Sequence, residues 1–157
     1  MAEEKDLKLA KEAYETLCNT LDEMELKYEK DEDKLIIHFG LAGDDIPMRF
    51  IILTDVDRQL IRLMSFMSFK MDETKRVEGA LITSYANYKL ADGSFDYNLG
   101  DGSIIFRMTS SFRESLIGAE LFKYMISCAA YSVDKYNDQF FMVSKGMLSV
   151  DDFVKAN

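Results

Sequence analysis

The chain has 157 residues, the length of one ordinary domain. Hydrophobic residues make up 48% of it, enough for a substantial core, and the formal net charge is -9. That balance argues against nucleic acid and anionic membrane surfaces, which are bound through Lys and Arg, and one His, no Trp and two Cys leave few groups for chemistry.

The opening residues, Met1-Ala2-Glu3-Glu4-Lys5-Asp6, lack the basic start and apolar run of a secretory signal. No stretch approaches the ~18 apolar residues that suggest a membrane span. Cys18 and Cys128 lie far apart without a paired spacing, which reads as two reduced thiols in a cytoplasmic protein.

In chain order, the first segment reads as a helix. Leu7, Ala10, Tyr14, Leu17, Leu21 and Met24 recur at spacings of three and four, and charges fill the other faces. No Pro or Gly interrupts Ala2 to Glu29, and Lys30-Asp31-Glu32-Asp33 supplies a charged break. Strand language follows. Leu35, Ile37, Phe39 and Leu41 alternate with Ile36, His38 and Gly40, and Met48 to Thr54 and Gln59 to Phe69 are further apolar runs. Short turns between three strands imply an antiparallel meander. Thr74 to Lys89 reads as a second helix, with Val77, Leu81, Tyr85 and Tyr88 on one stripe. Phe95, Tyr97 and Leu99 then alternate with polar residues. Gly100-Asp101-Gly102 signals a hairpin turn, and Ile104, Phe106 and Met108 form one face of the returning strand. A long helix is expected from Gly118 to about residue 140. A short terminal helix starts near Ser149-Val150-Asp151-Asp152, anchored by Phe153. The pattern is α+β: a five-stranded antiparallel sheet in the order helix-β-β-β-helix-β-β-helix plus the short terminal helix, one domain over 1–157.

Chemistry is sparse. His38 sits mid-strand and reads as a half-exposed strand histidine rather than a general base. Metal sites of the zinc type lack their usual ligands, and no serine sits in a Gly-x-Ser-x-Gly elbow. Gly100-Asp101-Gly102 lacks the further glycines and following helix of a dinucleotide loop. Asp31-Glu32-Asp33 and Asp44-Asp45 do not follow a calcium-loop pattern. No catalytic residue, cofactor or metal is therefore assigned. Methionine is the unusual feature, with 10 in the chain. Met64, Met67 and Met71 fall beside Phe66 and Phe69, and flexible Met suits surfaces that accept varied partners. The competing reading is a central strand buried on both faces.

The segments Asn87-Tyr88-Lys89-Leu90-Ala91-Asp92-Gly93-Ser94-Phe95-Asp96-Tyr97 and Gly100-Asp101-Gly102-Ser103-Ile104-Ile105-Phe106-Arg107 resemble the helix-to-hairpin junction and returning strand of YbjN-like proteins. Tyr131-Ser132-Val133-Asp134-Lys135-Tyr136 and Val143-Ser144-Lys145-Gly146 continue the resemblance. It implies the fold shared with type III secretion chaperones and a sensory or regulatory role, and it brings no catalytic residues with it.

The expected function is a non-enzymatic protein-binding or regulatory domain acting through an apolar surface on a protein partner. The expected contact residues are Met64, Phe66, Met67 and Phe69, with Leu7, Tyr14, Leu17 and Leu21 of the first helix. The alternative is a small-ligand sensor with an apolar cavity lined by Tyr85, Tyr88 and Phe106 and anchored by Arg107. A homodimer is also expected, from the resemblance and from the amount of apolar stripe that needs cover. The acidity is uneven. Residues 1–33 hold 12 acids and five bases, against 16 and 14 in the remainder. The first helix therefore carries an acidic outer face over an apolar stripe, the pattern of a solvated covering helix, which also suits selecting a basic partner.

Overall fold

A computed structural model describes residues 4–157, so Ala2 and Glu3 of the expected first helix lie outside the described residues. Helix α1 spans Glu4–Glu23. The meander β1 (Tyr28–Asp31), β2 (Ile36–Leu41), β3 (Met48–Asp55) and β4 (Leu60–Lys70) follows. A single 3-10 turn, Glu73–Lys75, leads into α2 (Arg76–Lys89). The hairpin β5 (Ser94–Tyr97) and β6 (Ser103–Ser111) precedes α3 (Ala119–Ser144) and α4 (Val150–Ala156). All strands join one antiparallel sheet in the order β1-β2-β3-β4-β6-β5.

The sheet has six strands where the sequence predicts five. The additional one is β1, which falls on the end of the expected first helix and its charged break. Its four residues, Tyr28-Glu29-Lys30-Asp31, pair with Phe39 to Ile36 of β2. Only Tyr28 is apolar, so the strand has no hydrophobic alternation to reveal it. A short charged strand suits a sheet edge, because charge there resists pairing with other chains. The long helix runs four residues past its expected end, to Ser144, whose hydroxyl accepts the Asp72 amide at 2.8 Å.

Helices cover one face of the sheet. Ile37 and Phe39 of β2, Phe50 and Ile52 of β3, Ile61 and Leu63 of β4, and Ile104, Phe106 and Met108 of β6 all point inward and are buried. Helices α1 and α3 pack over them, and α2 packs against β5. Helix α1 contributes Ala10, Ala13, Tyr14, Leu17 and Leu21 to this core. At the β5 end, Phe95 sits edge-on to Phe106, Tyr136 and Phe140, with ring centroids 5.1, 5.6 and 4.9 Å away. Burying each large apolar side chain is worth about 1.5–3 kcal/mol, so the helical layer is held mainly by this face. Gly102 joins the hairpin to the end of β4. Its φ is +78, its carbonyl accepts the Met71 amide at 2.8 Å, and a Cβ there would sit 2.5 Å from the Met71 carbonyl oxygen.

Candidate partner-binding surface

The other face of the sheet has no helix over it. Cross-strand partners share a face, so the register defines its rows. One row runs Ile36, Leu53, Arg62, Thr109. The next runs His38, Ile51, Met64, Arg107, Ser94. A third contains Phe66, Ile105 and Asp96. One-sided antiparallel sheets ordinarily show polar residues to water. Here Ile36, Ile51, Leu53, Met64, Phe66 and Ile105 form an apolar strip across β2, β3, β4 and β6, and Phe66 remains 49% exposed. Phe66, Ile51, Arg49 and His38 surround an open depression of about 810 Å³ over Gly40.

Charges frame this strip. The Arg107 guanidinium pairs with Asp96 at 2.7 Å. Asp55 takes Arg58 at 3.0 Å and Arg62 at 3.8 Å. Burial pushes the Asp55 carboxyl up, but the Arg58 amide and the two guanidinium groups outweigh it and hold the carboxyl below its ordinary range. Arg49 has no ion pair among the described residues and borders the depression. Both sheet edges, β1 and β5, are four residues long and carry charge. Such edges resist strand addition, so the face is open to side-chain contact rather than to an extra strand.

The structure divides the residues expected to meet a partner. In β4, Met64 and Phe66 point to the open face. Met67 and Phe69 point to the helical side, where Phe69 meets Phe141 of α3 edge-on at 5.3 Å. The strand is thus neither buried on both faces nor wholly surface. A bulge between Phe66 and Lys70 breaks its register with β6. On α1, Leu7 is 40% exposed, Tyr14 is nearly covered, and Leu17 and Leu21 are 0% exposed. Those three lie under the chain's own sheet and α3, and in this conformation they offer a partner little or nothing. Ile36, Ile51, Leu53 and Ile105 are the face residues that sequence reasoning missed. Ile51 and Leu53 lie in β3, which is apolar on both faces, and Ile36 and Ile105, though on the second face of β2 and β6, become part of one surface only through the strand register.

The residues expected to line a ligand cavity do not converge. Phe106 is buried in the core, Arg107 points to the opposite face, Tyr88 is 81% exposed and Tyr85 packs against α4. A further cleft between α1 and the β1–β2 hairpin holds Tyr14, Cys18 and Tyr28. Burial pushes both tyrosines up to about 12 and raises the Cys18 thiol, so none is primed as a nucleophile. Cys18 and Cys128 are free thiols. Among the described residues no helix is long and apolar enough to cross a membrane.

The fold has solved counterparts. The crystal structure of YbjN from E. coli, titled "a putative transcription regulator", superposes with a TM-score of 0.56 at 13% identity, covering 91% of this chain and 90% of that one. A chain of the HopA1-SchA chaperone-effector complex gives 0.55 at 10% identity, covering 88% and 99%. An uncharacterized protein from Methanothermobacter thermautotrophicus gives 0.51 at 17% identity, covering 86% and 99%. These likenesses establish a shared α+β fold resembling a type III secretion chaperone. No curated protein is a detectable sequence relative of the chain. The model of one family, described as "Putative bacterial sensory transduction regulator", matches residues 13–142, and the chain therefore belongs to the YbjN family.

Proposed function

We propose that this chain is a non-enzymatic regulatory domain that binds a protein partner through the open face of its sheet. The observation that carries this reading is the apolar strip Ile36, Ile51, Leu53, Met64, Phe66 and Ile105, which has no cover. Contiguous apolar surface of that kind marks an interaction site. The SchA complex supports a protein as the occupant, since a chaperone of the same fold there holds an effector protein. Met64 and Phe66 are the anchors of the contact, and Arg49 supplies an unpaired charge beside them. Met67, Phe69, Tyr14, Leu17 and Leu21 lie on the helical side and support the sheet from within, and Leu7 lies on α1 away from the open face.

The chain acts in the cytoplasm, without nucleic acid and away from membranes, and it self-associates as a homodimer. Self-association is supported by α2, whose outward stripe Val77, Leu81 and Tyr88 is more than half exposed at every position. The test of the main reading is comparative. Partner capture from native cells is measured for the wild-type chain and for Phe66→Asp. The reading expects a specific protein that wild type retains and the variant loses. Equal recovery by a folded Phe66→Asp chain overturns it.

A further inference from the structure

Helix α4 is anchored by Phe153, with Leu148 and Val150 partly buried beside it and the Asn157 side-chain amide donating to Gln139 Oε1 at 2.7 Å. Phe153 is fully buried, with its ring centroid 5.9 Å from Phe140, 6.1 Å from Tyr136 and 6.3 Å from Tyr85. These walls belong to α2 and α3. The other α4 side chains from Asp151 to Ala156 are exposed. A helix this short is not stable alone, so α4 is helical because it is docked. Its sequence assists: Ser149 accepts the Asp152 amide at 3.0 Å, Asp151 and Asp152 occupy the first turn, and Lys155 the last. The segment is built like a ligand, with a cap, two acids and one aromatic anchor.

Several features make it separable. The tether Lys145–Met147 is exposed, and Gly146 turns it at a φ of +71. The family match ends at residue 142, before the tether and α4. One polar group of the pocket wall is unpaired. Tyr136 is fully buried, yet its hydroxyl has no hydrogen-bond partner. A buried polar group left unpaired weighs against the docked state. Two cations stand on the pocket walls. Lys135 Nζ lies 5.1 Å from the Tyr136 ring centroid and Lys89 Nζ 5.4 Å from that of Tyr85. Among the described residues neither makes an ion pair with Asp151 or Asp152, so α4 leaves both charges unmatched in cis.

We propose that the pocket between Tyr85, Tyr136 and Phe140 is a second peptide-binding site, which α4 fills in cis and from which a partner protein's segment of the same chemistry displaces it. That segment carries a Ser or Thr cap, an acidic first turn and a Phe anchor. The site lies among the helices and does not rest on the open-face reading.

The probe is a labelled peptide of the chain's own residues 148–157, titrated by fluorescence anisotropy into the full-length wild-type chain and full-length Phe153→Ala. The intramolecular plug competes at high effective concentration. Binding to Phe153→Ala is therefore expected to be about tenfold tighter than to wild type, or more. The peptide with Ala in place of its Phe should bind neither chain. Independently, Tyr136→Phe removes the unpaired hydroxyl and should slow amide hydrogen exchange in α4 several-fold. Equal binding to both chains, no binding to Phe153→Ala, or unchanged exchange in Tyr136→Phe overturns the proposal. A wild-type dimer that is lost in Phe153→Ala would make a second copy the occupant, and would also overturn it.

Discussion

Phe66 and Phe69 lie three residues apart in one strand and have different surroundings. Phe69 is covered by Phe141, whereas Phe66 faces water. The run from Met64 to Phe69 is apolar in both parities apart from Ser65 and Ser68, so period-two reading had no contrast with which to sort it. The expected consequence is a separation of stability from binding. Phe66→Asp should change unfolding free energy by no more than about 0.5 kcal/mol, as exposed substitutions do. Phe106→Ala, which empties a fully buried site, should cost about 3–5 kcal/mol. Urea melts of the two variants check both. The hairpin turn allows a pH prediction. Hydrogen bonds from the Ser103 hydroxyl and amide, and then from Lys70, hold the Asp101 carboxyl well below the ordinary carboxylate range. A lowered folded-state value stabilises above the unfolded carboxyl's range, near ~3.9, and the contribution is lost as pH falls through and below it. Asp101→Asn should therefore be less stable than wild type at pH 7, with the gap narrowing under acid. A gap that stays constant down to pH 2 contradicts this account of the turn.

At the scale of elements, the β5–β6 hairpin and the stripe of α1 were legible because each combines a clean period with a turn or a charged break. Helix α2 was legible as an element but not in its facing: Val77, Leu81 and Tyr88 of its expected stripe are exposed, and Gly79, Ile82, Thr83 and Ala86 are the buried residues. Gly100-Asp101-Gly102 sits where the hairpin reverses, and Gly102 adopts the positive φ that such turns demand. Strand β1 was not legible, since its pairing depends on where β2 places its edge and not on its own residues. Whether α1 covers its own chain was equally closed to sequence, because a stripe records that cover is needed and not which molecule supplies it. The structure places Leu17 at 0% and Leu7 at 40% exposure. Leu17→Ala should cost about 2–5 kcal/mol, and Leu7→Ala no more than about 0.5 kcal/mol. Chemical denaturation at two protein concentrations tests this. A loss at Leu17 that depends on concentration would mean that α1 is covered by another subunit.

On the scale of the whole molecule, the layers are unequal. One face of the sheet is roofed by α1 and α3, and the other is bare. Element order from the sequence was enough for the α+β class, but not for the bare face. That face is a property of register: six apolar residues from β2, β3, β4 and β6 become neighbours only when the strands pair. The -9 charge leaves this surface largely apart, since residues 1–33, with 12 acids and five bases, carry most of it. A second uncovered stripe, Val77, Leu81 and Tyr88 on α2, is the surface we propose for self-association. Sedimentation at rising concentration should show mass increasing from 18.1 kDa toward twice that value, and Leu81→Asp should hold it at the monomer.

We propose that the bare sheet face, and not the helical side, receives the protein partner. The most direct measurement places a photo-crosslinking residue in turn at Phe66 and at Tyr131, which is exposed on α3, and irradiates the full chain in its native cells. The account predicts one discrete crosslinked protein from position 66, absent from position 131 and lost when Met64→Asp is added. A partner crosslinked equally from both positions, or only from position 131, contradicts it.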